Sequence, residues 1–193
     1  MTAKGLFITG TDTGVGKTVI AAALVRALVA QGRRVAVMKP VASGSERTPE
    51  GLRNEDALTL MAASNVAAPY DRVNPYCFEP AISPHIAAEE ACVTVDTAHI
   101  RRNFDTLAAA ADLVVVEGAG GWLAPISPVA SISDLAETLD LRVVLVVGIR
   151  LGCINHARLT KLAIVPALTA GAPPLELHEA ATRLFDPNRS RNA

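Results

Sequence analysis

The chain has 193 residues and a net charge of -1, with Lys+Arg 18 against Asp+Glu 19, and 50% of it is hydrophobic against 19% charged. That length suits one domain with a sizeable core, and the composition excludes a disordered chain. The balanced charge and the 4% aromatic content exclude a basic nucleic-acid surface, an anionic-membrane surface and a base-stacking platform.

In chain order, "LFITG" (residues 6–10) is a short apolar run ended by glycine, the mark of a buried strand. Residues 18–32, "TVIAAALVRALVAQG", are Ala- and Leu-rich, lack proline and stop at a glycine, which predicts a helix. "RVAVMKP" (34–40) predicts a second strand, broken by Pro40. Strand, glycine loop, helix and strand within about 30 residues make a βαβ unit, and with it a parallel sheet. The polar stretch 44–56 reads as a loop and "DALTLMAAS" (56–64) as a short helix. Residues 70–85 contain Pro75, Pro80 and Pro84 and read as an extended surface segment. Residues 86–91 and 98–111 read as helices. "DLVVVEGAGG" (112–121) is the clearest central strand, a continuous apolar run ending in an acid and then glycines. "ISDLAETLD" (132–140) predicts a helix capped by Ser131 or Ser133. Residues 142–152 predict a further buried strand, and 154–165 a helix ended by Pro166. The tail beyond has no buried-strand run and offers one weak helix at 176–185. The expectation is one α/β domain over 1–193, doubly wound, with a mainly parallel sheet and helices on both faces; residues 166–193 form an atypical, shortened tail.

Cys77, Cys92 and Cys153 are widely spaced and include no C-x-x-C pair, and the four histidines show no metal-ligand spacing. They read as reduced thiols of a cytoplasmic protein. The opening "MTAKGLFITG" is too short an apolar run for a signal peptide, and no run reaches the roughly 18 apolar residues of a membrane span.

"GTDTGVGKT" (10–18) follows a strand and opens a helix, as a phosphate-binding P-loop does. It is a variant. The usual spacing puts the first glycine at position 11, where this chain has Thr11, and the glycine stands at Gly10. Backbone N–H groups and the helix start attract phosphate, Lys17 can reach terminal phosphates, and the Thr18 hydroxyl can ligate Mg²⁺. The bland alternative is a glycine turn with an incidental Gly-Lys-Thr. Glu117 ends the "LVVVE" strand, on the sheet edge where ligands of open α/β sheets gather, and suits a metal ligand; otherwise it is a solvated strand end. Asp56 is a second metal candidate or else a helix cap. Lys39, at the end of the second strand, is placed to meet an anion or is a surface lysine. Ser43 binds substrate or caps a turn. Together these groups suggest phosphoryl transfer with charge neutralisation.

"GTDTGVGKT", "KPVASGSE", "GLRNEDA", "VNPYCFEPAISPH", "VVVEGAGGW" and "VVGIRLGCINHA", in this order over about residues 5–160, closely resemble the dethiobiotin synthetases, P-loop enzymes of the biotin pathway. The resemblance implies ATP- and Mg²⁺-dependent carboxylation of 7,8-diaminononanoate by CO₂ and closure of a ureido ring. It implies ATP binding by Thr13, Gly14, Val15, Gly16, Lys17, Thr18, Val19, Asp56, Glu117, Gly118, Ala119 and Gly120. It implies Lys39 and Lys17 as catalytic lysines, and Thr18, Asp56 and Glu117 as Mg²⁺ ligands. Substrate contacts fall on Ser43 and on Gly152, Cys153, Ile154 and Asn155, the last four across a homodimer interface. Position 14 is glycine where some relatives carry an acid. After the "CINHA" helix the family continues with an apolar strand ending near an adenine-reading asparagine, whereas neither Asn188 nor Asn192 follows a strand here. Poor discrimination among ATP, GTP and CTP is the expectation from that tail. Two other classes stay open: a nucleotide-binding switch or inactive remnant that kept the P-loop, and an amide-forming ligase of the same P-loop group, for whose glutaminase domain 193 residues leave no room.

Overall fold

The computed structural model describes residues 5–168. The elements in chain order are β1 (Gly5–Gly10), α1 (Lys17–Ala30), β2 (Val35–Met38), β3 (Val41–Ala42), β4 (Glu46–Thr48), β5 (Gly51–Arg53), α2 (Glu55–Ala63), α3 (Tyr70–Val73), β6 (Tyr76–Cys77), α4 (Pro84–Glu90), α5 (Thr97–Ala110), β7 (Leu113–Glu117), α6 (Ile132–Leu139), β8 (Arg142–Val146) and α7 (Cys153–Leu168). The main sheet has the order β2-β7-β1-β8, and all its pairings are parallel.

Each strand of this sheet feeds two cores, because successive side chains point to opposite faces. On one face Phe7, Ala36, Met38, Val114 and Val116 pack with Ile100, Phe104 and Leu107 of α5 and Ile132, Leu135 and Leu139 of α6. On the other, Ile8, Val35, Val37 and Val115 pack with Ala21, Ala22 and Val25 of α1 and Leu60 and Ala63 of α2. This explains why the strands read as continuous apolar runs rather than alternating ones. Each Val, Leu, Ile, Phe or Met among them contributes about 1.5–3 kcal/mol when fully buried, against about 0–1 kcal/mol for an exposed ion pair. The two apolar faces, not the surface charges, therefore hold the doubly wound layers together.

Register sets the site. Met38 lies beside Val116, so Lys39 leaves β2 level with Glu117 of β7. Gly10 lies beside Val146, so the loops after β1 and β8 emerge side by side.

Four expectations change. Residues 44–56 are not a plain loop, because β4 and β5 form an antiparallel hairpin there and α2 follows. Residues 70–85 are not an extended surface segment. They hold α3, then β6 paired parallel with β3, then the start of α4, and Val73, Asn74 and Phe78 are buried. Pro75 and Pro80 sit between short elements and Pro84 opens α4, positions where no backbone N–H bond is needed. The last strand stops at Val146 rather than running to 152. Pro166 does not end α7, which continues to Leu168. The helix expected at 176–185, and with it the reading of the tail, lies outside the described residues.

Candidate active site

The glycine loop is built as a tight reversal over the end of β1. A Cβ at Gly10 would stand 2.7 Å from Val15 Cγ2 and 3.2 Å from the Asp12 carbonyl, so a side chain there has no room. This gives the displaced glycine of the motif its physical reason. Gly16 caps α1 with φ 94°, left-handed backbone that glycine adopts without strain. Lys17 opens the helix, is 6% exposed, and its Nζ donates to the Asp12 carbonyl at 2.8 Å. Burial pushes the Lys17 ammonium below its ordinary pKa, and the positive charge of Lys39 adds to that, against the pull of Glu117, Asp56 and Asp12. A bound anion relieves both effects. The loop is tied across the sheet edge, with Thr11 N–H donating to the Val146 carbonyl at 3.1 Å and Arg150 Nη2 meeting Asp12 Oδ2 at 2.8 Å.

Beside the loop lies a charged cluster. Lys39 Nζ donates to Glu117 Oε1 at 2.7 Å and to Asp56 Oδ2 at 2.8 Å, and it stands 3.5 Å from the Gly118 carbonyl. Thr18 Oγ1 donates to the same Glu117 oxygen at 2.9 Å. The Glu117 carboxylate is wholly buried, and its second oxygen, Oε2, has no hydrogen-bond partner. A buried carboxylate oxygen without a donor is costly, and a cation beside it removes that cost. Asp56 sits in the first turn of α2. Burial works to raise its carboxyl, but the Lys39 ammonium outweighs burial through charge and hydrogen bond, with help from Thr18 and Lys17, and holds it below the usual range. Asp56 is not the helix cap. Asn54 is, with Oδ1 accepting from Ala57 N–H at 3.4 Å.

These groups open on one cleft of about 1040 Å³. Of the residues singled out in the sequence, Thr13, Gly14, Gly16, Lys17, Thr18, Val19, Lys39, Ser43, Asp56, Glu117, Ala119 and Gly120 line it. Val15 and Gly118 do not. Val15 packs under Gly10 and Gly148, and Gly118 N–H donates to the Ile8 carbonyl, so both support the loops from behind. Gly152, Cys153, Ile154 and Asn155, at the start of α7, are also absent from the lining of this chain's cleft. The sequence reading missed Asn54, Ala81, Ile82, Ser83 and Pro84, which also line the cleft. Asn54 had a local signal, an N-cap residue before "EDAL". Residues 81–84 had no local signal of their own beyond lying in "VNPYCFEPAISPH", because tertiary folding of 70–85 brings them there.

Among the described residues no three His, Cys, Asp or Glu side chains cluster as a metal site, and no helix is long and apolar enough to cross a membrane. A divalent cation at Glu117 would therefore draw on two carboxylates, one hydroxyl and ligand oxygens, the pattern Mg²⁺ favours beside phosphates. Chemically, the cleft offers a phosphate-binding loop, two ammonium groups and a hydroxyl, all on one sheet edge.

A family model described as an AAA domain matches residues 4–170. The ATP-dependent dethiobiotin synthetase BioD of Xanthomonas oryzae pv. oryzae (strain PXO99A) is 53% identical over 164 residues, which cover 85% of this chain and 73% of that protein. The protein of the same name from Pseudomonas paraeruginosa (strain DSM 24068 / PA7) is 53% identical over 160 residues, 82% of this chain and 70% of its own length. ATP-dependent dethiobiotin synthetase BioD 1 of Salmonella typhi is 50% identical over 164 residues, 85% and 72% of the two chains. A crystal structure of the chimerical protein CapA2B2 aligns with TM-score 0.48 at 18% identity over 86% of this chain and 72% of that one, too distant to add to the assignment. With about half of its residues identical to these proteins over most of both lengths, and with the P-loop and the lysine–carboxylate cluster in one cleft, the chain belongs to the ATP-dependent dethiobiotin synthetase family.

Proposed function

We propose that this chain is a ligase of biotin biosynthesis: it carboxylates 7,8-diaminononanoate with CO₂ and closes the ring to dethiobiotin, converting ATP to ADP and phosphate. One observation carries the reading beyond the family name. Lys39 is buried at the same sheet edge as the P-loop and shares Glu117 with Thr18, so a second cationic site adjoins the phosphate site. Addition of one amine to CO₂ yields a carbamate. A carbamate oxygen attacks the γ-phosphorus, the bond to the β–γ bridging oxygen breaks, and ADP leaves. The second amine then attacks the carbamoyl carbon, expels phosphate and loses its proton. Negative charge accumulates on carbamate and phosphate together, and Lys17 and Lys39 meet it from the start of α1 and the end of β2. The backbone amides of 13–19 hold the phosphates; Glu117, Ala119 and Gly120 line the nucleotide; and Ser43, which also lines the cleft, contacts the substrate.

Thr18, Asp56 and Glu117 would hold Mg²⁺, and the partnerless Glu117 Oε2 supports that set. When bound, Mg²⁺ supplies further neutralisation of the phosphate oxygens. Ile149 and Ile154 are largely exposed and Leu151 fully so, which supports a homodimer in which the 152–155 turn reaches the partner's cleft. The three free cysteines suit a reducing cytoplasm. Its partners are the small-molecule diamine and CO₂, with no nucleic acid and no membrane. A pure nucleotide switch gives Lys39 and Ser43 no use.

The test is turnover. Protein is mixed with ATP, Mg²⁺, bicarbonate and the diamine, and dethiobiotin is followed by mass spectrometry. Product that vanishes without diamine or without Mg²⁺ is the expected result. Tight ATP binding with no product sinks the reading.

A further inference from the structure

β2 is an edge strand of the main sheet, and residues 64–65 and 73–76 bond to the chain at its two ends. Two asparagines clamp it. At the strand's start, Asn65 Oδ1 accepts from Val35 N–H at 2.8 Å and Asn65 Nδ2 donates to the Arg33 carbonyl at 2.9 Å. At its end, Asn74 Nδ2 donates to the Lys39 carbonyl at 2.6 Å and to the Tyr76 carbonyl at 3.2 Å. Only the second clamp continues. Asn74 Oδ1 accepts from the Tyr70 hydroxyl at 2.9 Å, and that hydroxyl accepts from Asn54 N–H at 2.7 Å. Asn54 caps α2, and its Nδ2 reaches the Ser43 carbonyl at 3.4 Å. Two residues on, Asp56 accepts from Lys39 Nζ. The path therefore closes on itself, from the main chain of Lys39 back to its ammonium.

We propose that Asn74 and Tyr70 are positioning residues for the reaction, locking the main chain of Lys39 to the cap of α2 so that the Lys39 ammonium and the Asp56 carboxylate keep one separation over the cleft. The proposal rests on Lys39 being catalytic, as above. Asn74 is 2% exposed, and both donors and the acceptor of its side chain are used, so the link is a satisfied buried network rather than a surface contact. Burial drives the Tyr70 phenol well above its ordinary range, with Cys77 adding to the rise against Asn54 and Arg53. A shift of about 1 Å in a reacting group can cost on the order of a hundredfold in rate. Neither residue lines the cleft, so the effect must pass through Lys39 and α2.

The experiment compares Tyr70→Phe, Asn74→Ala and Asn74→Asp with Asn65→Ala, the matching clamp that lacks the continuation. Steady-state ring formation, thermal melting, and amide exchange of 39–42 and 54–58 by mass spectrometry are measured on each. The relay variants should lose roughly 10- to 100-fold in kcat with KM for ATP within about twofold. Exchange at 39–42 and 54–58 should quicken together. Asn74→Asp should fail like Asn74→Ala, since it sets an acceptor against two carbonyls. Asn65→Ala should lower the melting temperature with kcat and exchange at 54–58 unchanged. Wild-type kcat in Tyr70→Phe, or kcat losses that track melting temperature across all four variants, would overturn the proposal. If the wild-type protein forms no ring, the activity reading fails on its own. Exchange then still decides the relay, and unchanged exchange at 54–58 in Tyr70→Phe overturns it.

Discussion

Lys17 leaves the loop after β1 and Lys39 leaves the end of β2, so substitutions at the two separate binding from chemistry. Lys17→Ala should weaken ATP binding measured by calorimetry; unchanged affinity would count against the phosphate loop. Lys39→Ala should abolish ring formation, a loss of roughly 10²–10³-fold or more, while ATP binding stays largely intact. It also leaves Glu117 buried without its ammonium, and removing one partner of a buried pair commonly costs about 3–5 kcal/mol. Lys39→Gln, which can still donate to Glu117, is therefore the companion variant. Equal loss of ATP binding and turnover in both would sink the catalytic role of Lys39. Lys17, Lys39 and Glu117 were legible in the sequence because each ends a strand or a glycine loop. Their pairing was not, since Lys39 and Glu117 are 78 positions apart and only register sets them level.

Among the elements, α6 shows a cap that owes nothing to the site. The Asp134 carboxylate accepts from Ser131 N–H at 2.7 Å and from the Ser131 hydroxyl, the sequence signature of a helix start. The Ser131 side chain, then its backbone, hold the Asp134 carboxyl below its usual range. A carboxyl lowered in the folded state stabilises fully above its unfolded pKa of about 3.9, and that contribution is lost as pH falls through the lower folded value. Asp134→Asn should therefore cost about 1 kcal/mol at neutral pH in a urea melt, less in strong acid, with kcat unchanged. A cost that grows on acidification would contradict the cap. Short elements were the hardest to read. The pairs β3–β6 and β4–β5 have two or three residues each and carry no usable periodicity, and residues 70–85 gain their order only by lying against β2 and β3.

For the whole molecule, two apolar layers on one parallel sheet bring the ends of β1, β2 and β7 to a single edge, where the cleft opens. Beyond β8, Ile149, Leu151 and Ile154 stay exposed together. Light scattering should show a dimer, and Leu151→Asp should shift it toward monomer and lower turnover with the fold intact by circular dichroism. A wild-type monomer with full activity would remove the dimer from the mechanism. The sequence alone determined the βαβ start, the central strands, the phosphate loop and the candidate charges, because continuous apolar runs and glycine punctuation are local physical signals. Only the tertiary structure decided which charges share an oxygen, that residues 70–85 are a partly buried run of short elements rather than an extended surface segment, and that Asn54, Tyr70 and Asn74 join the main chain of Lys39 to the cap of α2. Those facts depend on strand register and on contacts between distant segments, which no local pattern encodes.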